Sequence, residues 1–433
     1  MPIKSFISLL LFLFTFQFAF GQEEAIKKRY QGLDELLGET SFFENHLTGF
    51  MLYDLDSQWV MFEKNSHINF IPASTIKLLT FYASLVTLGD SINTFRYVAN
   101  GDEITIWGAG DPSWGYDILP QPKIKEFLAP YKKINFSDQN WNSTAFGYGW
   151  QWDDYYYAYS SERSPFPIFG NLVTISHSNN IPRVSPTLFK NSLSVTDKEM
   201  KGIERDFRSN AFYYNPKLYI PKKEAVPFIT SPEIFVELAS ATLQKPIQLV
   251  KEVLPPGHKV FRGGNIRPLW SEMLQESDNF IAEQLLMMVS DQIMGQMNTE
   301  RAIDYILKTY LMDLPDRPQW VDGSGLSRHN LATPRSMVDL MVKIEDLLPR
   351  NQLMQLLSQG GISGTLKNNY KAPRPYVFAK TGTISNNHSM VGIIRTSRNK
   401  FYAFAFMNNN YLNKASEIRR EMEKVLVYVR DSF

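Results

Sequence analysis

Both ends of this 433-residue chain carry one kind of structure, and the stretch between them carries another. Near the N-terminus, residues 49–56 and 59–62 are apolar runs separated by a polar Asp-Ser-Gln turn, the pattern of a hairpin. An apolar helix is expected from about Ser74 to Leu88, stopped by Gly89. Near the C-terminus, residues 376–379, 390–394 and 401–406 read as successive strands, followed by a helix from about Ala415 to Tyr428. Elements from both ends therefore build one α+β domain, a mostly antiparallel sheet flanked by helices. Between Phe95 and Val260, Gly, Pro, Asn and aromatic residues break up short strand-like pieces such as residues 103–107 and 171–175. The expected organisation is a discontinuous domain of residues 22–95 and 261–433, interrupted by a β-rich insert at 96–260. Such a chain is too long for one core, which rarely grows past ~250–300 residues.

Residues 1–21 read as a signal peptide. Lys4 precedes an almost wholly apolar stretch from Ser8 to Phe20, and Ala19-Phe-Gly21 supplies small residues before Gln22. The apolar run is shorter than the ~20 residues of a membrane span. With no cysteine, the mature chain has no lipid-attachment site and no disulfide, so packing alone must hold it. The expected location is outside the cytoplasm, in the periplasm, with no stable span after cleavage. Lys and Arg total 45 against 44 for Asp and Glu, which gives no reason to expect nucleic acid or an anionic membrane as partner. The six histidines form no pair at metal-ligand spacing, so neither metal nor cofactor is expected.

Pro72-Ala-Ser-Thr-Ile-Lys77 places a serine and a lysine three residues apart at the head of the predicted helix, on one face. A serine hydroxyl becomes a useful nucleophile when a neighbouring base takes its proton, and a neutral lysine can do so. Ser397-Arg-Asn-Lys400 has the same spacing but lies in a polar turn between strands. Two further motifs follow in order. Ser277-Asp-Asn279 sits in a stretch read as helical from Ile266 to Val289, and Lys380-Thr-Gly382, with Thr383 beyond, leads out of a strand. Singly each is common: the pair could be a helix cap with a solvated lysine, and Lys-Thr-Gly a strand end with a turn glycine. Together, in this order, they form the set of penicillin-recognising serine enzymes.

The surrounding residues are more specific. The chain resembles the class C low-molecular-mass penicillin-binding proteins, the D-alanyl-D-alanine carboxypeptidase/endopeptidase family (serine peptidase family S13). The resemblance runs from Pro72–Thr80 through Gly108-Ala-Gly-Asp-Pro112, Gly149–Asp154, Ser277–Asn279, Asp322-Gly-Ser-Gly-Leu-Ser-Arg328 and Gly364-Thr-Leu366 to Lys380–Gly382. It departs in two places: the distance from Lys77 to Ser277 is short for the family, implying a trimmed insert, and Thr75 stands where asparagine is common.

The resemblance implies a penicillin-binding transpeptidase/β-lactamase-like fold that acts on peptidoglycan stem peptides in cell-wall remodelling and binds β-lactams. Ser74 would be the nucleophile and Lys77 its base, made neutral by burial and by Lys380 as second cation. Ser277 and Lys380 would pass a proton to the leaving D-alanine, and Asn279 would orient Lys77 and hold the substrate amide. Thr381, Gly382 and Thr383 would line the substrate, the two hydroxyls facing its terminal carboxylate. The Ser74 and Thr383 amides would hold the oxyanion. For Asp322, Ser324 and Arg328 the favoured reading is a glycine-fixed loop buttressing the cleft. The aromatic cluster Tyr148–Tyr159 reads as packing within the insert rather than as a ligand contact. Two rival readings are a β-lactamase, whose insert would be far shorter and whose deacylating base the motifs do not place, and a non-catalytic β-lactam sensor or peptidoglycan-binding protein on the same fold.

Overall fold

A computed structural model describes residues 28–38, 41–178 and 181–433. The predicted signal peptide lies outside these residues. The described residues open with helix α1 (residues 28–37), then the hairpin β1 (Leu47–Asp54) and β2 (Trp59–Lys64). The chain then enters α2 (Lys77–Thr87) through a 3-10 turn at Ala73–Ile76, so Ser74 sits just before the α-helix rather than in it.

The long excursion follows. Its central sheet contains β3 (Ser91–Asn100), β4 (Glu103–Gly108) and, after the short α3 (Ile124–Leu128), β5 (Lys133–Phe136). Next come β6 (Leu172–Ser178), β7 (Ile181–Ser185), β8 (Leu193–Val195), β9 (Glu204–Arg205), β10 (Phe212–Tyr214) and β11 (Lys223–Pro227). Helix α4 (Pro232–Leu243), β12 (Ile247–Leu249) and β13 (Lys259–Asn265) complete it. The order β12-β5-β4-β3-β13 makes a five-stranded sheet, and β11-β6-β7 and β8-β10-β9 make two small ones. Because β3 pairs with β13, the excursion runs from Ser91 to Asn265, wider at both ends than the 96–260 read from texture. It has its own apolar core, in which Phe95, Phe136, Phe166 and Phe235 pack with the strand valines and isoleucines.

The chain returns through α5 (Arg267–Ser271), a π-turn at Glu272–Glu276, α6 (Asn279–Met294), α7 (Thr299–Thr309), α8 (Pro334–Leu347) and α9 (Arg350–Leu356). Strands β14 (Ser358–Gln359), β15 (Val377–Ile384), β16 (Asn387–Arg395) and β17 (Phe401–Asn409) precede α10 (Ala415–Ser432). The sheet order β14-β15-β16-β17-β1-β2, with every pairing antiparallel, closes the two chain ends into one sheet. Strands β16 and β17 are buried along nearly their whole length because both faces of the sheet are covered. One face packs on α2, α6 and α8, the other on α1 and α10. The fold is the α+β arrangement expected, three layers thick, with the excursion standing beside α6.

The stretch read as one helix from Ile266 to Val289 is interrupted. Ser277 has a left-handed backbone (φ 64°), and Asp278 restarts the helix as an N-cap by accepting a hydrogen bond from the Ile281 amide at 2.8 Å. Ser277-Asp-Asn279 therefore spans a helix break, which turns Ser277 toward β15 while Asn279 stays on the α6 axis.

Candidate active site

Lys77 follows the 3-10 turn, so its side chain returns toward Ser74 and lies fully buried. Its Nζ is 3.0 Å from Ser74 Oγ, 2.6 Å from Asn279 Oδ1 and 2.5 Å from the Ser324 carbonyl. Three acceptors match the three N–H bonds of an ammonium group. In the neutral amine, the Asn279 and Ser324 oxygens fix two N–H bonds and leave the lone pair directed at Ser74. Burial pulls the Lys77 pKa down to about 8, against the pull of Asp322, Asp278 and Glu283, which favour its charge.

Across the cleft, Lys380 on β15 is also fully buried, and its Nζ donates to Ser277 Oγ at 2.8 Å and to the Thr381 carbonyl at 2.7 Å. Burial first, and the charge of Lys77 second, hold its pKa well below the ordinary lysine value. The repulsion between the two lysines is mutual, and the carboxylates that favour charge stand around Lys77.

Two glycines allow the walls to approach the nucleophile. A Cβ on Gly382 would collide with the Pro72 carbonyl and come within 2.8 Å of the Ser74 nitrogen; one on Gly325 would collide with Ala73 and come within 2.9 Å of that nitrogen. Gly325 also has φ +85°, and Ala73 has φ 47°, an unusual value for alanine immediately before the serine. Ser74, Gln151, Asp154, Tyr159, Asn279, Gly325, Leu326 and Thr383 line one cleft of about 330 Å³.

The loop from Asp322 to Asn330 is organised by one buried carboxylate. Asp322 accepts from the amides of Gly325 and Ser327, from Asn330 Nδ2 and from Trp150 Nε1, all at 2.7–2.9 Å. Ser324 supplies its carbonyl to Lys77 and its amide to Glu283, so it acts through its backbone. Arg328 stands apart from the lysines and donates to the Ser385 carbonyl at 3.0 Å, tying this loop to the end of β15. The hydroxyls of Thr381 and Thr383 already have partners: Thr365 Oγ1 lies 2.7 Å from the first, and His388 Nδ1 lies 2.8 Å from the second. Burial drives the His388 pKa down to about 3, so the ring is neutral. Only with Nδ1 protonated does it leave the Thr383 hydrogen available to a ligand.

Several residues here escaped sequence reading. Glu283 is wholly buried, accepts the Ser324 amide at 2.8 Å and pairs with Arg163 of the insert at 3.3 Å. Tyr116 donates to Asp278 at 2.8 Å, and the Tyr159 carbonyl accepts from Asn279 Nδ2 at 3.0 Å. The Gly-Asp-Pro string packs on the same helix, with the Gly110 carbonyl accepting from Gln284. A charged residue four places after Asn279 on an apolar helix was the available signal for Glu283. The insert partners carry no local signal, because each contact joins residues more than a hundred positions apart. The reading of Tyr148–Tyr159 as internal packing holds for Tyr155 and Tyr156, which pack within the insert, and fails for Tyr148, Trp152, Tyr157 and Tyr159, which are exposed. Tyr159 lines the cleft, and Trp152 is 75% exposed, because this loop forms the insert's outer edge above Ser74. Ser397, the other serine with a lysine three residues on, lies in the turn closed between Thr396 and Lys400, remote from these groups.

Residues 30–189 and 263–429 match the D-Ala-D-Ala carboxypeptidase 3 (S13) family. The chain belongs to that family. As an S13 serine peptidase, it is 21% identical to the D-alanyl-D-alanine carboxypeptidase DacB of Haemophilus influenzae, over 90% of this chain and 91% of that one. It is 25% identical to the penicillin-sensitive carboxypeptidase A of Dictyostelium discoideum, over 77% and 76% of the two chains. The crystal structure of penicillin binding protein 4 (dacB) from Haemophilus influenzae superposes with a TM-score of 0.69 at 19% identity, covering 92% of this S13 peptidase and 97% of that chain. The same relative has been solved with a β-lactam bound. Among the described residues, no helix is long and apolar enough to cross a membrane.

Proposed function

We propose that this S13 peptidase cleaves the terminal D-alanyl-D-alanine bond of peptidoglycan stem peptides through an acyl-enzyme on Ser74, opens cross-links at the same site, and works in the periplasm after export. The observation that carries the reading is the 3.0 Å approach of Lys77 Nζ to Ser74 Oγ, with Asn279 and Ser324 aiming the amine. Lys77 takes the Ser74 proton as Oγ attacks the penultimate D-alanine carbonyl. The amides of Ser74 and Thr383 would hold the oxyanion. When the intermediate collapses, the C–N bond breaks and the departing amine takes its proton from Ser277, which Lys380 resupplies across 2.8 Å. Water then hydrolyses the ester.

The terminal carboxylate would lie beside Thr381, Thr383 and Lys380. Its arrival supplies the anion that Lys380 lacks, and the charge thereby restored to Lys380 favours the neutral, basic form of Lys77. Cross-linked substrates also present a carboxylate beside the scissile bond, so one site serves both reactions. A β-lactam enters by the same route, in line with the β-lactam complex of the Haemophilus relative. The test is chromatography of pentapeptide and cross-linked dimer muropeptides after incubation with enzyme and with Ser74→Ala, alongside labelling by fluorescent penicillin. Release of D-alanine and dimer cleavage by the wild type alone are expected. Penicillin labelling with neither reaction would defeat the hydrolase reading, and rapid nitrocefin turnover would favour a β-lactamase. Export is tested by cell fractionation and by the N-terminus of the mature protein, expected at Gln22.

A further inference from the structure

The loop between Gly149 and Ser160 carries more exposed aromatic surface than cleft lining requires. Tyr159, 45% exposed, stacks on Tyr157 with ring centroids 5.3 Å apart and planes 11° from parallel. Tyr157 contacts Tyr156 at 4.3 Å, Tyr156 contacts Tyr155 at 5.2 Å, Tyr155 contacts Phe207 at 4.9 Å, and Phe207 contacts Trp152 at 6.3 Å. Phe207 belongs to a different part of the insert, the turn between β9 and β10, and is itself 52% exposed. The row is fixed from beneath. The buried Arg205 guanidinium lies 5.1 Å from the Tyr155 ring centre and donates to the Tyr155 carbonyl and to the carbonyls of Asp206 and Ser209. A contiguous, rigid aromatic surface that leads out of a substrate cleft is a binding surface rather than ordinary solvent-facing apolar area.

We propose that this shelf binds the glycan strand to which the stem peptide is attached, through the C–H faces of N-acetylated sugar rings. The proposal rests on the peptidase reading, because the shelf is continuous with the cleft wall at Tyr159 and Asp154. A four-residue stem spans at most about 14 Å, so a sugar joined to it stays close to the cleft whose wall includes Tyr159, the end of the row. A pyranose has an apolar face bordered by hydroxyls. The shelf offers ring faces, phenol hydroxyls and the exposed Asp153 carboxylate, an acceptor for sugar hydroxyls that would repel an acidic peptide. The glycan contact holds the substrate polymer while the peptide occupies the cleft, and the two attachments reinforce each other through a short link.

The test uses the full-length mature protein carrying Ser74→Ala, so that no ligand is consumed, with and without Trp152→Ala and Tyr157→Ala. Three ligands are titrated: a peptide-free N-acetylglucosamine tetramer, a free pentapeptide, and the same pentapeptide joined to its disaccharide. The expected result is that the tetramer binds the parent and loses about tenfold or more in the ring-less variant. The disaccharide should strengthen peptide binding in the parent and not in that variant, while free peptide binds both alike. Trp152→Phe, which keeps a ring face, should retain most glycan binding. Absence of tetramer binding in the parent, or an equal loss for free and sugar-linked peptide, overturns the proposal. Tetramer binding without any peptide binding, and no penicillin adduct on wild-type Ser74, would leave the shelf intact and remove the peptidase reading.

Discussion

The two sides of the cleft each bury a lysine against a serine, and their electrostatics are opposite. Around Lys77 stand Asp322, Asp278 and Glu283, whose negative charge opposes burial and leaves the amine near pH 8. Around Lys380 burial is compounded by Lys77, and its pKa is held well below the ordinary lysine value. In the proposed mechanism the first lysine serves as a base, losing its proton at mildly alkaline pH. The second is a cation in waiting, completed by a ligand carboxylate. The difference comes from where the loop between Asp322 and Asn330 and helix α6 place their acids: both lie on the α2 side of the cleft, while β15 and its neighbours contribute hydroxyls.

The comparison can be broken by substitution. The largest effect belongs to the nucleophile common to both sides: Ser74→Ala should abolish covalent penicillin labelling, and peptide mapping that located the adduct on Ser397 would refute the assignment. Lys77→Arg keeps the cation but cannot release its proton, so acylation should fall by about 10²–10⁴. Near-wild-type acylation would mean another base. Lys380→Arg retains charge on the side that needs a cation, and the loss should be smaller, roughly a hundredfold; a loss exceeding that of Lys77→Arg would invert the two roles.

Because the base is the neutral amine, the acylation rate should climb about tenfold per pH unit below the Lys77 value of about 8 and level off above it. A profile flat from pH 6 to 9, measured by stopped-flow labelling, would contradict it. The smallest effect sharpens the cause. Asp322→Asn removes the first of the carboxylates favouring the Lys77 charge, so the rising limb should move to lower pH. It also sets an amide against N–H donors now satisfied by a carboxylate, costing about 2–4 kcal/mol of stability in a denaturant titration. A limb that stayed in place would show that Asp322 does not help to set the Lys77 value.

The α+β layering was legible because short continuous apolar runs within residues 49–62 and 376–406, bounded by turn residues, and the C-terminal amphipathic helix state their own type. The cluster of Ser74, Lys77, Ser277, Asn279 and Lys380 was legible because Ser74 and Lys77 interact within one turn, and because Ser277, Asn279 and Lys380 sit in short motifs. Less was legible at the helix break. Residues 266–289 have continuous helical composition, and only the Asp278 cap and the left-handed Ser277, fixed by packing against β15, divide them. The aromatic loop misled for a related reason. Tyrosine and tryptophan serve cores and surfaces equally, and composition does not say which side of the insert a loop occupies.

The sequence alone thus determined what depends on neighbours along the chain: element types, the serine–lysine turn, and the motifs that mark the family. Only the tertiary structure decided what depends on groups far apart in sequence. It brought Glu283, Asp322 and Asp278 around one lysine and none around the other, tied Asn279 to the insert through the Tyr159 carbonyl, and turned the tyrosine row outward. The physical reason is that a buried charge responds to every charge and dipole within a few ångströms, whatever its chain position, in a medium that screens them weakly.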